Sequence, residues 1–241
     1  DKPFTLGKYE STRIRVAIAE LAANGGAPMG FYTRYKNPAA RTEIVRYYRF
    51  MERYDSLFKA NQSHAEVVLP YPRSKVHAGD VAAVDDFKTR GLELLNNHVL
   101  FDVVPDDMLT ATKRKEYQAV IEDAKLPGGL SRFEAPKTVR VSASKPAKGN
   151  ELTLHFVNYN RVEPAKKRSP GGGIVDEKPI AVEMVNVDFV LPTGKKVKSV
   201  MVSTPESAEA VEAKFTVGDG RLKFTAPKFL VYAIARVQFA D

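Results

Sequence analysis

The hydrophobic period of this chain changes once, near residue 135, and that change restricts the fold more than any other feature. Upstream, apolar residues recur at three- and four-residue spacing or gather in short runs; downstream they alternate every second residue. The pattern predicts α/β structure followed by an all-β part, and it divides the chain into three regions: 1–62, 63–134 and 135–241.

In the first region, Ser11 caps a predicted helix whose apolar positions Ile14, Ala17, Ile18 and Leu21 fall on one face, and Asn24-Gly25-Gly26 stops it. A short strand, Ala27 to Tyr32, follows. Asn37-Pro38 then opens a long amphipathic helix predicted to run to Phe58, with Arg41, Arg46, Arg49 and Arg53 on its outer, solvent-facing side. The second region reads as a parallel βαβ unit. A strand at 65–69 leads to a helix capped by Asp80, a second strand follows at 99–104, and a further helix is expected over 113–123. Leu126-Pro127-Gly128-Gly129 connects to the third region, where about seven short alternating strands predict an antiparallel β-sandwich.

Composition excludes several chemistries. There is no Cys, hence no disulfide framework, thiolate metal site or cysteine nucleophile. The four histidines, His64, His77, His98 and His155, do not form an HExxH motif, so no metal site is expected, and His98 and His155 read as structural. No GxSxG, GxGxxG or P-loop pattern occurs, and no cofactor is implied. Asp85-Asp86, Asp106-Asp107 and Glu122-Asp123 are adjacent acids whose side chains are expected to point apart, which leaves no defensible general acid and base pair. No apolar run is long enough for a membrane span.

The net charge of +8 is positive in residues 1–63 and 136–241 and negative between them. Its densest cluster, Lys166-Lys167-Arg168, precedes Ser169-Pro170-Gly171 and reads as a solvated loop. Without interleaved aromatics, nucleic acid ranks last among partners. The first residue is Asp1, and the first ten residues lack a signal-peptide pattern, so the chain is expected to be a piece of something longer.

Two groups of residues are candidates for binding. If the strand after Gly26 belongs to a barrel, its carboxyl end, with Tyr32, Arg34 and Tyr35, lies on the face where such enzymes bind substrate, and Asn24, before the strand, is a further substrate-rim candidate. There aromatics and an arginine suit a sugar, although Phe31 and Tyr32 serve equally well in packing. In the second region, ligands of parallel sheets gather beyond the strand carboxyl ends, which puts Arg73, Lys75 and His77 beside any crevice.

These segments together resemble a known order. The run Arg13-Ile14-Arg15-Val16-Ala17-Ile18 through Asn24-Gly25-Gly26 to Gly30 resembles the last helix, strand and helix of a (β/α)8 glycoside hydrolase. Ala65-Glu66-Val67-Val68-Leu69-Pro70-Tyr71-Pro72 is similar to the opening strand of the glutamine-amidotransferase-like domain that follows such barrels, called the trimerisation domain in family 42 β-galactosidases. Leu154-His155-Phe156-Val157-Asn158 and Leu230-Val231-Tyr232 are similar to the closing β-sandwich. After Tyr117-Gln118-Ala119-Val120-Ile121 the family continues with more strands, whereas this chain passes straight to the sandwich.

The resemblance implies α/β plus all-β architecture: a helical barrel remnant, a shortened parallel βαβ unit and a C-terminal sandwich. It implies a C-terminal fragment of a glycoside-hydrolase-like protein whose glutamates come from earlier barrel strands, so no catalytic residue is assigned here. Carbohydrate and the remainder of the parent barrel are the implied partners, with room for a homo-oligomer. An extracellular or periplasmic setting rests on the resemblance alone. The alternative is a noncatalytic carbohydrate- or protein-binding scaffold.

Overall fold

The computed structural model describes residues 3–6, 11–31, 38–122, 126–162 and 178–240. Strands β1 (Pro3–Leu6) and β2 (Ala27–Phe31) pair in parallel, joined by helix α1 (Ser11–Ala23). The helix ends at the predicted glycines for a steric reason. Gly25 adopts φ +72°, and Gly26 N–H donates to Leu21 O at 2.7 Å, so close that a Cβ on Gly26 would lie 3.0 Å from Leu21 Cδ2.

Helix α2 (Pro38–Arg53) starts on its proline, but it does not continue to Phe58 as expected. The chain turns at Tyr54, whose hydroxyl accepts from Ser203 Oγ at 2.9 Å, and resumes as the single turn α3 (Asp55–Phe58). That break lets Leu57 and Phe58 fold inward. Ile14 and Ile18 of α1, Tyr47 and Phe50 of α2, and Leu57 form one core with Val157, Val231, Tyr232 and Ile234.

Next come β3 (Gln62–Ser63), β4 (Val67–Tyr71), α4 (Arg73–His77), α5 (Ala83–Asn96), β5 (Phe101–Pro105), α6 (Ala111–Arg114) and β6 (Ala119–Val120). The last three strands make a parallel sheet in the order β5-β4-β6. The helix expected over 113–123 is corrected: only Ala111–Arg114 is helical, and the chain then adds the third strand. Gln118 N–H donates to Glu66 O, and Ile121 N–H to Val68 O, both at 2.8 Å. Pairing along β4 thus overrides a weak helical preference. Helix α5 closes on His98, which takes φ +55° where glycine is usual. Burial lowers the His98 pKa, and its Nε2 sits 3.1 Å from Pro136 O.

The remaining strands are β7 (Arg132–Glu134), β8 (Val139–Lys145), β9 (Glu151–Asn158), β10 (Val185–Val190), β11 (Val197–Ser203), β12 (Val211–Glu212), β13 (Phe215–Gly218), β14 (Arg221–Ala226) and β15 (Tyr232–Phe239). They pack as a four-stranded sheet, β13-β14-β10-β7, and a six-stranded sheet, β12-β11-β15-β9-β8-β3. Residues 210–217 read in sequence as one strand but form two: β12 joins the larger sheet and β13 the smaller, with Ala213 buried between them.

Leu152, Leu154 and Phe156 point into the core between the sheets, together with Phe189, Leu222 and Val237. The alternation of β9 reads as a half-buried strand, yet all eight of its residues are buried. Alternation marked one apolar face; α1 and the Leu57 turn cover the other.

Candidate functional site

The parallel sheet has a topological switch point. From β4 the chain crosses through α5 to β5 on one side, then returns to β6 on the other, and a crevice lies at the strand carboxyl ends. It holds about 300 Å3. Leu69, Phe87 and Ile121 supply apolar lining, while Arg90 pairs with Asp86 at 2.9 Å and Arg114 with Glu122 at 3.0 Å.

The predicted loop residues separate here. Lys75 lines the crevice and has no ionic partner among the described residues. Arg73 does not reach it free: its Nε and Nη2 bond Asp107 Oδ2 at 3.0 and 2.7 Å, an interaction that raises the guanidinium pKa. Asp106 Oδ1 accepts from both Ser74 N–H and Ser74 Oγ at 3.0 Å, and the backbone N–H foremost holds that carboxyl below its usual range. Asp106 and Asp107 therefore converge on α4, contrary to the expectation that adjacent acids point apart. A 3₁₀ turn at Asp106–Met108 makes this possible. His77 is exposed and outside the crevice lining.

Asn24 lies elsewhere, at a joint where α1, β5 and β8 meet. Its Nδ2 donates to Glu20 O at 2.8 Å, so its first role is to cap α1. It borders two adjoining hollows of about 310 and 280 Å3, which share Ala23, Phe101, Asp102 and Ser142. Asp102 accepts from Ser63 Oγ at 2.6 Å and from the Tyr117 hydroxyl at 2.9 Å. Burial, together with that carboxylate, pushes Tyr117 up to about 12. Glu20 is the unusual member. Its Oε2 is buried with no hydrogen-bond partner among the described residues, and desolvation raises its pKa against the pull of Arg140.

Sequence reasoning missed Glu20, Asp102 and Arg140 because they come from three separate elements; only the helix stop at Asn24 was a local signal. Tyr32, Arg34 and Tyr35 lie outside the described residues, as do Lys166, Lys167 and Arg168. Among the described residues, no three His, Asp or Glu side chains gather to hold a metal, and no helix is long and apolar enough to cross a membrane. Both hollows can hold a small polar molecule, and neither presents an activated nucleophile.

No protein-family model matches the sequence, and no curated protein sequence does. Solved structures do match the fold. Alpha-L-fucosidase isoenzyme 2 from Paenibacillus thiaminolyticus superposes with a TM-score of 0.69 at 12% identity, over 98% of this chain and 60% of that one. A Paenibacillus sp. cycloisomaltooligosaccharide glucanotransferase complexed with cycloisomaltoheptaose gives 0.53 at 12% identity, over 96% and 28%. The chain thus spans less than two thirds of either, and at this identity the likeness is one of fold alone: mixed α/β structure with antiparallel sheets.

Proposed function

We propose that this chain is the C-terminal portion of a carbohydrate-active protein of the glycoside-hydrolase type, with structural, assembly and substrate-rim roles and without the catalytic carboxylate pair. On this reading residues 1–62 end a (β/α)8 barrel, 63–134 are a shortened amidotransferase-like unit, and 135–241 are the closing sandwich. The kinship to family 42 β-galactosidases rests on the order of segments. One observation carries the reading: the parallel β1-α1-β2 unit and α2, docked on the outside of the six-stranded sheet, belong to an arrangement that part of an α-L-fucosidase shares over 98% of this chain.

The strand order β5-β4-β6 supports the amidotransferase-like comparison in topology, because it places the central strand first, as in doubly wound sheets. With three strands, the unit supplies a crevice and a support rather than chemistry. Asn24, at the amino end of β2 and so away from the carboxyl-end face where a barrel binds substrate, would border the hollows of the joint, and Lys75 would serve the crevice of the parallel sheet.

The test is a hydrolysis assay on the isolated chain against a panel of aryl glycosides that includes the α-L-fucoside, run beside an NMR titration with neutral oligosaccharides. Expected are no turnover and small shifts at Asn24 and its neighbours. Turnover by the isolated chain would refute the noncatalytic role, and its loss in a Glu20→Gln/Asp102→Asn double variant would place the chemistry at the joint.

A further inference from the structure

The arginine row of α2 does more than face solvent. Arg41, Arg46, Arg49 and Arg53 form one wall of a groove of about 690 Å3, and the turn at 205–208, beyond β11, forms the other. The walls are tied at two points: Arg53 Nη1 donates to Ala208 O at 2.7 Å, and the Tyr47 hydroxyl to Glu206 Oε1 at 2.8 Å. Glu206 is held back by its own chain, since Thr204 Oγ1 occupies its other oxygen. Arg46 pairs with Glu43 at 3.0 Å. Arg41 and Arg49 have no acidic partner among the described residues, and both are exposed. Against Glu43 and Glu206 the groove keeps an excess of positive charge.

We propose that this groove binds an acidic saccharide, with its carboxylate or sulfate groups taken by Arg41 and Arg49. These residues are two turns apart on one helix face, about 12 Å along the axis. That span suits two charged groups on an extended chain rather than one small ion, and the guanidinium fork matches either oxyanion. A nucleic acid is disfavoured because a single strand needs exposed rings to stack on. Phe50, the aromatic in this wall, is 4% exposed, with its ring against Tyr54 and Tyr232 at 4.9 and 5.9 Å. Arginine clusters also take acidic peptide motifs; the proposed function favours a saccharide here, and polyglutamate tests the difference. The saccharide half of the inference rests on the proposed function; the anion half rests on the arginines.

Calorimetry on the full chain distinguishes these cases, with an oligogalacturonate, a heparin-derived octasaccharide, a neutral maltooligosaccharide, poly-L-glutamate and a single-stranded oligonucleotide as probes. Expected is salt-sensitive binding of an acidic saccharide, weakened about tenfold or more by Arg41→Ala/Arg49→Ala. Lys214→Ala/Lys223→Ala removes the same charge elsewhere on the sandwich and should change the affinity by less than about twofold. Equal losses in the two variants, or tighter binding of polyglutamate or the oligonucleotide, would overturn the inference. Binding of the neutral sugar alone would overturn it while leaving the carbohydrate reading intact.

Discussion

His155 sits in the middle of β9 with both ring nitrogens engaged, Nε2 2.8 Å from Ser144 Oγ and Nδ1 2.8 Å from the Tyr232 hydroxyl. Its ring lies nearly parallel to that of Tyr232, with the planes 7° and the centroids 6.2 Å apart. The residue is fully buried, and desolvation pulls its pKa from 6.5 to about 3. Because the unfolded chain binds this proton below pH 6.5 and the folded chain only near 3, the stabilising contribution is fully present above pH 6.5. It is lost as the pH falls toward 3, and the total is on the order of 5 kcal/mol. Urea unfolding between pH 7 and 4 should therefore show the wild type losing about 1.4 kcal/mol per pH unit more than His155→Gln; parallel slopes would disprove it. A structural role for His155 was legible from its place in an alternating strand. Its two hydroxyl partners were not, since Tyr232 comes from a strand far along the chain.

Elements show how much a second layer changes a strand. Strand β9 reads as half-buried because alternation records only which face is apolar enough to enter a core. Its outer face, Thr153, His155 and Val157, reads as the wet side, yet α1 and the Leu57 turn close over it. Phe50 is a main contact of that layer, 4% exposed against Tyr232. Phe50→Ala should cost about 3 to 5 kcal/mol in urea unfolding, whereas Val45→Ala, one turn earlier and 47% exposed, should cost less than about 0.5 kcal/mol. Comparable losses would mean that α2 is not docked as described. The third parallel strand was illegible for a related reason: β6 is two residues long, and it exists because β4 offers an unpaired edge.

For the whole molecule, helices α1, α2 and α3 act as the cover of the six-stranded sheet. A chain that begins at Gln62 would bare Val157, Val231, Tyr232 and Ile234, a contiguous apolar surface that monomers rarely expose. Such a truncation should bind 8-anilinonaphthalene-1-sulfonate strongly and aggregate; a soluble, dye-silent product would show that the sandwich stands alone. The sequence by itself determined the change from helical to two-residue period, the helix stop at Asn24-Gly25-Gly26, the parallel unit and the antiparallel strands, because each is written in neighbouring side chains. Only the tertiary structure decided that helices roof β9, that Glu20 and Asp102 border one joint, and that Arg41 and Arg49 face a second wall. Those outcomes depend on which distant surfaces meet, and local periodicity fixes the character of a face without fixing what covers it.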